Sequence, residues 1–125
     1  MIYSIGHDIV ENVRIAKIIA KYGQRFINRI LSEEEYQELI LRQDKVKFIA
    51  KRFAAKEAFA KACGTGLRAP ILMPNIIISN NELGKPIFNF NKDIKNWLEE
   101  KKICYCHLSL SDETNLSSAF VVLEL

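Results

Sequence analysis

Residues Lys45–Gly66 read KVKFIAKRFAAKEAFAKACGTG. Alanine recurs throughout, proline is absent and Gly64 follows the last strong helix former, so the stretch predicts one long helix from Lys45 to Cys63. Phe48, Ile49, Phe53 and Ala62 make its apolar stripe, with Glu57 on the margin. A carboxylate there needs a partner. Lys61, four residues on, offers an ordinary surface pair worth about 0.3–0.5 kcal/mol. After its opening Lys45 the helix also carries Lys47, Lys51, Arg52 and Lys56, so with Lys61 Glu57 is its single acid among six bases.

Upstream of this helix the chain is also mostly helical. Ile2, Ile5 and Ile9 alternate with small or polar neighbours in MIYSIGHDIV, which predicts a strand ending near Asp8. Asn12 is a candidate N-cap for a helix through Ile15 and Ile19 that Gly23 closes. A short helical turn, Arg25–Leu31, follows. Ser32 with Glu35 forms a capping box opening a third helix through Tyr36, Leu39 and Ile40.

Downstream the texture becomes β. Ile76–Ser79 and Pro86–Phe90 flank Asn80, Asn81 and Gly84, a hairpin signature. A helix around Ile94, Trp97 and Leu98 separates it from a second hairpin, Cys104–Leu110 with Ser118–Leu125. Early helices and late hairpins predict an α+β fold in which one antiparallel sheet of hairpins packs against the long helix. The strand–helix alternation of a doubly wound sheet is missing.

The chain has 125 residues, 49% hydrophobic and 26% charged, which suits a single domain spanning 1–125 and rules out a disordered chain. Cys63, Cys104 and Cys106 are odd in number and lack C-x-x-C spacing, so free thiols are expected. Cys104, Cys106 and His107 read as residues of a strand, since a structural zinc needs four converging ligands. No apolar run approaches the roughly 18 residues of a membrane span, and Asp8 interrupts the region where a signal peptide would be apolar. A cytoplasmic protein without membrane contact is expected.

Charge placement says more than its total of +3. Glu11–Arg68 holds thirteen bases against seven acids, or +6, while the remainder, with five against eight, carries −3. Asn12–Leu31 has five bases, Arg14, Lys17, Lys21, Arg25 and Arg29, and no acid. Such a face suits an anionic partner, whether RNA, an acidic protein or a phosphorylated small molecule. It also fits a plain solvated helix face. Without the aromatic interleaving of a stacking platform, an RNA-binding module has less in its favour.

Arg52, Lys56 and Lys61 are candidates to gather phosphate beside the turn Gly64-Thr65-Gly66, whose glycines allow close backbone approach. Asp8 and Glu57 are the candidate carboxylates. Mg²⁺ is commonly held by one or two carboxylates, with substrate phosphates and water completing its shell. This is not a Walker A loop, because the lysine precedes the glycines. A small nucleotide hydrolase would use the same groups.

Three motifs extend the reading: Gly6-x-Asp8-Ile9-Val10-Glu11, Phe26-x-x-Arg29-Ile30-Leu31-Ser32-x-x-Glu35, and above all Arg52–Gly66 with its Arg-Phe-Ala-Ala-Lys-Glu-Ala-Phe core. Together with His107-x-Ser109-x-Ser111 they resemble the holo-[acyl-carrier-protein] synthases, small phosphopantetheinyl transferases of bacterial lipid synthesis. The resemblance spans the chain. It departs at Asp112, where many members have histidine. It implies Mg²⁺-dependent transfer of the 4′-phosphopantetheine arm of coenzyme A to a serine of apo-acyl carrier protein, with adenosine 3′,5′-bisphosphate released. By the same resemblance, Asp8 and Glu57 hold the metal and Lys61 contacts the phosphates, while Glu57 or a held water takes the serine proton. Arg52, Lys61, Gly64, Thr65, Gly66, His107 and Ser109 would line a coenzyme A site at the junction of subunits in a homotrimer. The acidic carrier would dock on Arg14, Lys17, Lys21, Arg25 and Arg29, with Phe26 as an apolar anchor.

Overall fold

A computed structural model describes residues 1–125. The elements are β1 (Ile2–Glu11), α1 (Asn12–Tyr22), α2 (Gln24–Ile30), α3 (Glu33–Leu39), α4 (Lys45–Cys63), a 3-10 turn (Met73–Asn75), β2 (Ile76–Asn80), β3 (Pro86–Phe90), α5 (Lys92–Glu100), β4 (Tyr105–Asp112) and β5 (Leu116–Glu124). The mixed α and β architecture with antiparallel hairpins against a long helix matches the expectation. The number of sheets does not: three strands in the order β1-β5-β4 form one sheet, and β2-β3 stand apart as a two-stranded hairpin.

Strand pairing accounts for the division. β1 runs antiparallel to β5, with Ile5 opposite Val122, Asp8 opposite Ala119 and Glu11 opposite Leu116. That partner extends β1 past Asp8 to Glu11. β2 and β3 instead lay Phe88 and Phe90 on Phe59 of α4, with ring centroids 5.2 and 4.8 Å apart. α4 is therefore packed on more than one side, and its middle turns, Ala54, Ala55, Ala58 and Phe59 among them, are fully buried. Small residues let both layers close on it.

The helix ends follow local chemistry. Asp44 accepts the Lys47 N–H at 3.0 Å, and Gly64 ends α4 in the left-handed region at φ 75°. The Ser32–Glu35 capping box forms in both directions, at 3.2 and 3.0 Å. Asn12 departs from expectation, because it is the first helical residue and caps nothing. Its side chain turns to the β4–β5 turn, donating to the Thr114 carbonyl at 3.4 Å and accepting from Ser117 Oγ at 2.7 Å. The turn passing alongside supplies the partners that a cap would have used.

Gly6 sets the approach of β1 to α4. A Cβ at this position would collide with the Ala58 carbonyl oxygen and lie 2.8 Å from the Ala62 backbone N. Neither obstacle can rotate away, since both belong to the helix backbone. Gly6→Ala should therefore cost about 2–3 kcal/mol, the upper part of the overpacking range. Urea denaturation would measure it, and an unchanged midpoint would show that β1 and α4 are not in backbone contact.

Candidate active site

The close approach at Gly6 brings Asp8, two residues further along the same face of β1, against the exposed edge of α4. Lys61 Nζ donates to Asp8 Oδ1 at 3.1 Å and to the His7 carbonyl at 3.0 Å. The Asp8 side chain is only 15% exposed, whereas Lys61 is 55% exposed. Lys61 thus pairs across to the strand, and the expected helical pair with Glu57 gives way to it. Glu57 is half-buried beside them. Burial raises its carboxyl pKa above the ordinary range, the Asp8 charge raises it further, and Lys61 and Arg14 oppose the rise. Asp8, Glu57, Lys61 and Arg14 therefore share one electrostatic neighbourhood.

The donor set suits a hard divalent cation. Two carboxylates that repel one another at a partly exposed edge provide the harder half of an Mg²⁺ shell, leaving substrate oxygens and water to complete it. No group of three or more His, Cys, Asp or Glu residues gathers anywhere in the chain, a pattern that would suit zinc. The residues fit Mg²⁺.

Not every candidate lies here. Arg52 and Lys56, expected to gather phosphate, are buried on the opposite side of α4, and that expectation is corrected for the chain as folded. Lys56 Nζ donates to Glu35 Oε1 at 2.5 Å and to the Ile30 carbonyl at 2.6 Å. Arg52 Nη2 lies 3.3 Å from Glu38 and its Nε 3.2 Å from Glu35 Oε2, the latter without hydrogen-bond alignment. Its guanidinium also stacks over Phe48, 4.6 Å from the ring centre. Burial pushes the Lys56 pKa down to about 8, opposed by Glu35, and lowers that of Arg52. Sequence reasoning placed Glu35 in a capping box and missed this role. The signal was available in α4, where Arg52 and Lys56 stand four and eight residues beyond Phe48, on the buried stripe.

Gly64, Thr65 and Gly66 begin an exposed loop directly after Lys61. The Gly64 N–H is already used by the helix end, bonded to Ala60 and Lys61 carbonyls at 3.1 Å. Thr65 Oγ1 donates to the Gly66 carbonyl at 2.8 Å. His107 and Ser109 occupy the other face of the sheet. Ser109 is in register with Phe120 and, through it, with His7, whereas Asp8 pairs with buried Ala119 on the α4 face. His107 is bonded to Glu124 at 2.7 Å. One chain therefore keeps His107 and Ser109 apart from Asp8, Glu57 and Lys61, with the sheet between them.

The basic residues Arg14, Lys17, Lys21, Arg25 and Arg29 are all exposed. Ile18, Tyr22, Arg25, Phe26 and Arg29 line a groove of about 440 Å³. A second groove of about 620 Å³ shares Phe26 and Arg29 with it, continues along Ile30, Phe53 and Met73, and reaches Glu57. Phe26 is half-buried against Phe53, ring centroids 6.4 Å apart, so it belongs to the core's edge and to both grooves. The far wall, Leu67 and Leu72–Pro74, lies in the loop after α4 and the start of the 3-10 turn, where no periodicity marks it.

A small α+β domain with an acid pair and a lysine at a strand–helix crossing, next to a basic groove, has the parts of a phosphoryl-type transferase. The family model described as the 4′-phosphopantetheinyl transferase superfamily matches residues 4–117, and the chain belongs to that family. It is 48% identical over 124 residues to the holo-[acyl-carrier-protein] synthase of Nitrosomonas eutropha, covering 99% of both chains. The crystal structure of the holo-[acyl-carrier-protein] synthase of Neisseria meningitidis superposes with a TM-score of 0.98 at 49% identity, over the whole of both chains. That of Helicobacter pylori, in complex with coenzyme A, gives 0.83 at 31% identity over 96% of this chain and 99% of that one.

The shared electrostatics of the acid pair can be read directly. In metal-free protein, Glu57 should titrate above the ordinary carboxylate range by carbon-13 NMR. Asp8→Asn removes a like charge, which favours the ionised form, so the Glu57 pKa should fall while remaining raised by burial. Added Mg²⁺ should lower it in the wild type for the same reason. No movement in either case would separate the two carboxylates.

Proposed function

We propose that this protein transfers the 4′-phosphopantetheine moiety of coenzyme A to a serine of apo-acyl carrier protein, giving the holo-carrier and adenosine 3′,5′-bisphosphate. The observation that carries this reading is the meeting of Asp8, Glu57 and Lys61 at one crossing, in a chain that matches holo-[acyl-carrier-protein] synthases end to end. The serine Oγ forms a bond to the phosphorus that bears the pantetheine arm. The bond from that phosphorus to the oxygen bridging to the adenosine bisphosphate breaks, and the serine proton passes to a base.

Asp8 and Glu57 would hold Mg²⁺, which when bound neutralises charge on the pyrophosphate. Lys61, anchored on Asp8 and the His7 carbonyl, presents its ammonium to the phosphates. Glu57 would accept the serine proton directly or through a water that it holds. Thr65 and Gly66 in the exposed turn, with Gly64 giving the turn its bend, extend the phosphate contact beyond Lys61.

The rest of the coenzyme A site is composite in this reading. Ile5, Ile9 and Phe120 leave 56%, 57% and 43% of their surface exposed on the sheet's outer face, the face that carries His107 and Ser109. Packing that face against further copies, as a homotrimer, would cover it and bring His107 and Ser109 towards the Asp8 site of another copy. An Ile9→Glu variant should sediment as a monomer and lose transfer. A monomeric wild type with full activity would refute the assembly.

The basic face takes the acidic carrier: Arg14, Lys17 and Lys21 on α1, Arg25 and Arg29 on α2, and Phe26 between the grooves. RNA binding by this face finds no support among the relatives. No helix is long and apolar enough to cross a membrane, and the reaction belongs with cytoplasmic carriers of fatty acid synthesis.

Intact-protein mass spectrometry of apo-carrier incubated with the protein, coenzyme A and Mg²⁺ should show a gain of one phosphopantetheine. EDTA, or Glu57→Gln in a folded protein, should abolish the gain; full activity in either would remove the metal role. Lys21→Glu, at the far end of α1 from Glu57, should raise KM for the carrier about tenfold, the effect of roughly 1.4 kcal/mol, and leave that for coenzyme A nearly unchanged. Equal effects on both would contradict the docking face.

A further inference from the structure

We propose that Glu35 and Lys56 are positioning residues for the transfer reaction, their buried pair fixing the spacing between the carrier-facing helix α2 and Glu57 on α4. The inference rests on the transferase reading. Lys56 is the sequence neighbour of Glu57 and points about 100° around the helix from it. Its ammonium, fully buried, bonds to Glu35 at 2.5 Å and to the carbonyl of Ile30, the last residue of α2, at 2.6 Å. Ile30 lines the groove that ends at Glu57. Glu35 Oε2 in turn accepts the Ile78 N–H of β2 at 3.2 Å, just after the 3-10 turn whose Met73 and Pro74 form the groove's opposite wall. The end of α2 and the start of β2 are thus both tied to α4 through one buried ion pair.

Stability alone does not explain such a device. Two charges taken from water gain little over an apolar pair of the same volume, whereas directional bonds to three elements fix their separation. That separation matters because Phe26 and Arg29 of α2 meet the carrier while Glu57 acts on the carrier's serine. A misplacement of about 1 Å between docking contacts and reacting groups costs on the order of 10²-fold in rate.

The test is the double variant Glu35→Gln/Lys56→Met, which removes both charges of the pair together and leaves Arg52 its contact with Glu38. Its circular dichroism should match the wild type, and coenzyme A should bind with a Kd within about twofold, since none of its proposed contacts is altered. The kcat should fall at least about tenfold, and the NOE between the Phe26 and Phe53 rings should disappear. A folded double variant with wild-type kcat and the NOE intact overturns the proposal. Glu35→Asp gives a second reading, keeping both charges while shortening the reach by one methylene. Its Tm should fall, and at a temperature where circular dichroism shows the variant fully folded its kcat should be lowered as well; an unchanged kcat there again overturns the proposal. A wild type that transfers nothing would refute the transferase reading instead, and the NOE would then decide whether the pair sets the α2–α4 spacing.

Discussion

The backbone of β1 lies directly on the backbone of α4 at Gly6, and the meeting of Asp8 with Lys61 and Glu57 depends on that contact. Side-chain-mediated packing keeps a helix about 10 Å from a sheet, too far for short acids on the two elements to share one ion. Here glycine on the strand faces Ala58 and Ala62 on the helix, and nothing separates the two main chains. Asp8 then emerges beside the α4 edge, where a lysine four residues beyond Glu57 can bond to it. The strand is held at that distance by its pairing with β5, whose Ala119 and Val121 are buried against the same helix. A small-residue seam and a continuous antiparallel ladder together turn two remote carboxylates into a pair.

On its far side α4 is fixed by charge. Glu35, Lys56 and Arg52 are nearly free of solvent, and their polar bonds join α4 to α2 and α3, and α3 to β2. Apolar contacts tolerate sliding, because their energy varies slowly with position. Hydrogen bonds from a buried ammonium to a carboxylate and a carbonyl do not, since a half-satisfied buried ion is costly. The helix is therefore located in depth by the Gly6 seam and in rotation by the ion cluster. Glu57 lies between the two constraints.

Much of this was legible in the sequence. The bounds of α4 follow from its helix formers and from Gly64, and the capping box at Ser32 and the two hairpins follow from local chemistry that no tertiary contact overrides. Asp8 and Glu57 stood out as acids in basic or apolar surroundings and by resemblance of their motifs. What the sequence did not carry was their meeting, because the register between β1 and α4 is set by a glycine whose missing side chain leaves no pattern of its own. Glu35 escaped for a related reason: a capping-box glutamate on the surface and one at the centre of an ion cluster have the same local sequence. Asn12 likewise looks like a cap until the β4–β5 turn is folded against it.

The sheet itself sets His107 and Ser109 apart from Asp8, Glu57 and Lys61. Residues alternate sides along a strand, so His107 and Ser109 cannot reach the α4 face without a shift of one residue in β4, which would expose Leu108 and bury Ser109. The buried positions of β5, Ala119, Val121 and Leu123, hold that register firmly. Two sets of polar residues on opposite faces of one sheet can serve one ligand only if different copies contribute them. The apolar residues Ile5, Ile9 and Phe120 around the outer set would favour that contact, and the same alternation that separates the two sets within a chain would then orient them towards each other between chains.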